Sequence, residues 1–192
     1  MVSPEVCASR RALLRGAGVT LAGGAGWLIA GCSGSSVTRT AVEKVPLRTR
    51  RADVGLFNRS LDLERQAIAA YTAGIPVLSG ADAMAAKQFL SQELQHAGEL
   101  LALIAAAGGK PIPRAPSYDL GHPRTARDVL ALLNTLENRQ IAAYVDAIPR
   151  LSPGSVRASV ASILANDAEH VSILNVALGT PGAPDAFVTG RE

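Results

Sequence analysis

The chain has 192 residues, of which 48% are hydrophobic, 18% charged and 4% aromatic, and 34 are alanine. Alanine favours helix and aromatic side chains favour strands, so this balance argues against a sandwich or barrel and for one all-α body. The net charge of +3 divides into three bases and one acid over residues 1–31, six and two over 32–60, and ten and thirteen over 61–192. The body is therefore acidic, and a basic groove for nucleic acid is excluded.

Residues 1–31 have the order of an export signal: a basic stretch, a short apolar run from Ala17 to Ala30, then small residues. Ser9-Arg10-Arg11-Ala12-Leu13-Leu14 resembles a twin-arginine signal, and Ile29-Ala30-Gly31-Cys32 resembles a lipoprotein signal-peptidase box. The apolar run is glycine-rich and shorter than the roughly 20 residues of a spanning helix, which weighs against an uncleaved anchor. Cleavage before Cys32 would discard Cys7 and leave Cys32 as the lipidated N-terminus, with no second thiol for a disulfide. The twin-arginine resemblance implies a passenger exported folded, to a lipid-anchored position on a bacterial cell envelope. Residues 32–53, rich in Ser, Gly and Thr and then basic, read as a flexible tether.

Helices are expected at about 54–77, 81–107, 126–149 and 154–178, followed by a tail over 179–192. They form an internal repeat. Leu63-Glu64-Arg65-Gln66-Ala67-Ile68-Ala69-Ala70-Tyr71 aligns with Leu136-Glu137-Asn138-Arg139-Gln140-Ile141-Ala142-Ala143-Tyr144 at an offset of 73, and Gln92–His96 aligns with Asn166–His170 at 74. Pro76 and Pro149 should end the first helix of each hairpin, Ser152-Pro153 resembles an N-cap followed by proline, and Gly108, Gly109 and Gly179 should stop the second helices. The Pro-rich stretch 109–125 can reach roughly 50 Å, longer than the roughly 36 to 40 Å of each helix. Such a crossover would set the first and third helices antiparallel and relate the hairpins by a pseudo-two-fold axis.

A seam of residues spaced by four and three marks the core face of each helix, and charges interrupt it. Glu64 and Glu137 stand in the first and third seams. Glu93 with His96, and Asp167 with His170, stand in the second and fourth at i and i+3. All six lie about four turns from the hairpin turns, hence at one level of the bundle. Four buried carboxylates repel one another, and the seams offer no Lys or Arg. Two divalent cations would balance them, and carboxylate plus imidazole without thiolate suits iron or manganese and admits zinc.

A glutamate from each of two helices plus Glu-x-x-His from each of the other two resembles the dimetal-carboxylate, ferritin-like four-helix bundles. That resemblance implies metal ligation by Glu64, Glu93, His96, Glu137, Asp167 and His170, with Asp167 one methylene shorter than the usual glutamate. Glu93 and Glu137 are the candidate bridges. Tyr71 and Tyr144, seven residues beyond Glu64 and Glu137 on the same faces, are expected in the core beside the site. The implied chemistry is that of a di-iron oxidoreductase of ferroxidase type. The alternative is a lipid-anchored module whose metal site is structural or partly occupied. The expected partners are metal ions and, through Cys32, the membrane, and a homodimer stays open.

Overall fold

The computed structural model describes residues 47–152 and 154–191. The export signal, Cys32 and the first part of the tether lie outside the described residues. Four helices make up the bundle: α1 over Leu47–Gly74, α2 over Gly80–Ala106, α3 over Ala126–Ala147 and α4 over Ser155–Leu178. None of the described helices is long and apolar enough to cross a membrane.

The expected proline breaks are present. α1 runs into a 3-10 turn over Ile75–Val77 and α3 into another over Ile148–Arg150, each carrying its proline near the start. Proline lacks the N–H that an α-helix needs there, so the chain tightens and leaves the helix. α3 begins on a reciprocal cap, in which the Asp128 N–H donates to the Thr125 hydroxyl and the Asp128 carboxylate accepts from the Thr125 N–H. α4 ends at Gly179 with φ of 83°, where its N–H and that of Thr180 satisfy the last carbonyls.

Two expectations fail at the helix starts. α1 starts at Leu47 rather than near 54, so residues 47–53 belong to a helix and not to the tether. Ser152 does not cap α4, whose preceding residue is Gly154. Instead Ser152 donates its hydroxyl and its N–H to Asp53, which is buried. This pair holds the start of the bundle to the α3–α4 turn.

α1 packs on α2 and on α3, and α3 packs on α4, while α2 and α4 approach less closely. The start of α3 lies at the end of α1: a Cβ added to Gly74 would fall 2.6 Å from Val129. Glycine there permits the close approach, and α1 and α3 are thereby antiparallel. The crossover runs along α1, with Asn58 bonding both the Lys110 carbonyl and the Ile112 N–H, Arg65 bonding the Ile112 carbonyl, and Tyr118 bonding Asp62. Two apolar clusters fill the bundle, one around Leu61, Leu100 and Ile104, the other around Tyr71, Phe89 and Leu133.

Candidate metal centre

The six polar seam residues meet between the two apolar clusters. Glu64, Glu93, Glu137 and Asp167 are fully shielded from solvent, and His170 and His96 are 1% and 8% exposed. Their ligand atoms fall into two overlapping groups: Glu64, His96 and Asp167, and Glu93, Glu137, Asp167 and His170. Within each group the atoms lie within 4.8 Å of one another.

Each imidazole presents Nδ1 to the acids. His96 Nδ1 lies 3.3 Å from Asp167, 3.4 Å from Glu93 and 3.8 Å from Glu64. His170 Nδ1 lies 3.1 Å from Glu137 and 3.4 Å from the same Glu93 oxygen. Glu93 is thus shared between the two imidazoles, and Asp167 is common to both groups. Glu137 meets only His170. Glu93 and Asp167, the acids of the two helical motifs, therefore lie between the two groups, whereas Glu137 belongs to one.

The tyrosines cross-brace the site. Tyr71 on α1 donates to Glu137 on α3, and Tyr144 on α3 donates to Glu64 on α1. Sequence reasoning missed Gln140, whose amide donates to Glu64 at 2.9 Å and to Glu93 at 2.7 Å. Its repeat partner is Ala67, so this contact breaks the internal symmetry. The only signal for it was a polar residue three positions after Glu137, which places it on the same helix face.

A second asymmetry separates the two histidines. Phe89 stacks on His170 with ring centroids 4.1 Å apart, and Gln92 bonds His170 Nε2 at 2.9 Å. That bond fixes the ring orientation and leaves Nδ1 toward the acids. The repeat partner of Phe89 is Ile163, which with His96, Gln92, Ser162 and Asn166 lines a polar cleft of about 800 Å³ between α2 and α4. One imidazole is sealed and the other sits at an opening.

Burial, reinforced by the charges of Glu93 and Asp167, raises the Glu64 carboxyl well above the usual range. Burial likewise pushes Glu137 up to about 8 and Asp167 to about 6. Burial also acts on Glu93, but the close approach of His170, His96 and Glu64 outweighs it and holds this carboxyl well below the usual range. Burial disfavours the imidazolium forms, yet the nearby carboxylates of Asp167 and Glu93 raise His96 to about 10, and those of Glu137 and Glu93 raise His170 to about 9. Protons therefore perform in this cluster the charge balancing that cations can perform.

The donor set fits a metal pair. One Glu93 oxygen, one Glu137 oxygen, both Asp167 oxygens and His96 Nδ1 are buried without a hydrogen-bond partner. All belong to residues of the two groups, with Gln140 Oε1 and Asn138 Oδ1 unpaired nearby in sequence, and unpaired buried polar atoms are costly unless something binds them.

The fold is shared with known structures. A crystal structure of a conserved hypothetical protein from Mycobacterium tuberculosis is similar over 72% of this chain and 99% of that one, with TM-score 0.65 and 19% identity. A crystal structure of ferritin-like, diiron-carboxylate proteins from Bacillus anthracis is similar over 68% and 97%, with TM-score 0.58 and 20% identity. No curated protein matches the sequence. The family model for the ferritin-like domain matches residues 52–180, which span all four seams and both helical motifs, and the chain belongs to that family.

Proposed function

We propose that this is an exported, lipid-anchored ferritin-like protein that binds two transition-metal ions, iron foremost, and oxidises Fe(II). One observation carries the reading. Four fully buried carboxylates converge with two imidazoles, and among the described residues the cluster holds no Lys or Arg. A bare apolar bundle has no use for such an arrangement, because it is more costly than leucine at the same positions.

Glu64 with His96 would hold one ion and Glu137 with His170 the other, with Glu93 and Asp167 reaching both. An iron pair bound there supplies one-electron redox chemistry toward oxygen or peroxide. The chain's own part is to orient and to exclude. Tyr71 and Tyr144 fix the rotamers of Glu137 and Glu64, Gln92 fixes His170, and the apolar clusters above and below keep bulk water out. The α2–α4 cleft beside His96 gives small polar reactants access from solvent. Export and anchoring through Cys32 rest on the leader motifs, and Cys32→Ala should release the protein from membranes into the soluble envelope fraction.

A second reading has Gln140 in its favour. Its amide occupies oxygens of Glu64 and Glu93, which suits a structural site that is loaded only in part. Oxygen consumption separates the two. Anaerobic protein given Fe(II) and then oxygen should oxidise the iron and consume oxygen, and Glu137→Ala should abolish both. Metal-loaded protein that consumes no oxygen would favour the structural reading.

A further inference from the structure

The two halves of the bundle carry equivalent surface grooves and cover them differently. In the second half, Ala168, Val171, Ser172 and Asn175 of α4 lie under residues 182–188 of the tail, leaving a cavity of only about 80 Å³. The repeat offset of 74 maps those four onto Leu94, Ala97, Gly98 and Leu101 of α2. All of these line a groove of about 520 Å³ between α1, α2 and the crossover. Among the described residues no tail fills it, and Leu94 and Leu101 are 54% and 37% exposed.

The groove has a chemical polarity. Ile68 of α1 joins the two leucines of α2 along an apolar trough over the buried Leu61, while Arg65 and Arg114 line it from α1 and the crossover. One Arg65 nitrogen donates to the Ile112 and Pro113 carbonyls, which positions the guanidinium and leaves its other donors uncommitted. Among the described residues neither guanidinium has a carboxylate within ion-pair reach. Two unpaired guanidinium groups favour a planar anion, and apolar surface beside them favours a hydrocarbon chain. The volume falls within the roughly 300–1,000 Å³ of small-molecule sites.

We propose that this groove binds a small amphiphilic carboxylate of fatty-acid type, with its head group at Arg65 and Arg114 and its chain along Ile68, Leu94 and Leu101. The site is independent of the metal centre. It lies on the outer face of the α1–α2 hairpin, and Gly98 is about 200° around α2 from His96.

Gly98 supplies the test, because a Cβ there meets nothing within 4 Å. Gly98→Leu fills the groove and replaces a poor helix former, so it should leave the fold intact. Arg114→Ala, at an exposed crossover position, removes one cation without touching the core. The full chain is titrated calorimetrically with dodecanoate below its micellar concentration. Saturable binding of about one ligand per chain is expected, weakened about tenfold or more by either substitution, with no loss of melting temperature and with unchanged metal content. Dodecanol, which lacks the charge, should bind about tenfold more weakly. Absence of saturable binding, affinity unaffected by Gly98→Leu and Arg114→Ala, or equal affinity for the alcohol would each overturn the proposal.

Discussion

Tyr71 of α1 donates its hydroxyl to Glu137 of α3 at 2.5 Å, reaching across the repeat to the other half and not back to its own glutamate. Tyr144 mirrors it on Glu64. Because α1 and α3 are antiparallel, each tyrosine, two turns beyond its own glutamate, reaches the glutamate of the other helix. A duplicated helix thus braces its copy, and both carboxylates are oriented by a group from the opposite hairpin.

Tyr144→Phe should expose the role of this brace. It leaves a buried Glu64 oxygen without its donor, at a cost of about 1–3 kcal/mol to the metal-free protein. Metal affinity should fall while stoichiometry is retained. Chemical denaturation with chelator present and metal titration would check both, and unchanged stability would mean the hydroxyl does not bear on Glu64.

The cluster also sets a pH dependence. Burial raises Glu64 well above its ordinary range and Glu137 to about 8. Burial opposes charge on the histidines, but their carboxylate partners raise His96 to about 10 and His170 to about 9. All four are raised by folding, so their stabilisation is complete below the unfolded pKa values and is lost as pH rises through the folded ones. Glu93, held low, changes no protonation in this window. Metal-free protein should therefore melt at a lower temperature at about pH 9 than at about pH 6. Added metal displaces the same protons, so the metal-induced rise in melting temperature should grow over that interval. A metal-free protein that gains stability toward pH 9 would contradict the assignment.

Sharing of Asp167 between the two groups separates its loss from that of a histidine. Asp167→Asn keeps the shape and removes the charge, and should reduce bound metal from about two ions toward none. His96→Ala should leave about one. Elemental analysis after gel filtration distinguishes these outcomes, and equal losses in the two variants would argue against a shared aspartate.

Asp53 makes a purely structural prediction. Asp53→Ala removes both bonds to Ser152 at the base of the bundle and leaves a buried hydroxyl and N–H to be resatisfied. It should cost about 1–3 kcal/mol with metal content unchanged, as read from thermal melts and elemental analysis.

The repeat and the interrupted seams made the fold and the six polar residues legible, because helical periodicity is local and the charges stood where leucines belong. Asp53 was hidden by its neighbours. It stands four residues before Phe57, in line with the seam, but the basic residues around it resemble a tether. Gln140 was hidden differently, since a helix face wide enough to bury Ile141 also carries the residue before it inward. The contrast between the sealed His170 and the accessible His96 rests on Phe89 against Ile163, two apolar residues that no hydrophobic pattern tells apart. Shared positions such as that of Asp167 depend on which side chains meet, and spacing along one helix does not encode that.

Metal content of the full protein, purified without oxygen, loaded with Fe(II) and freed of excess, tests the central claim most directly. The expected result is about two ions per chain, held by the four buried carboxylates and two histidines. A content near zero after loading would contradict a dimetal centre and leave the buried cluster balanced by protons alone.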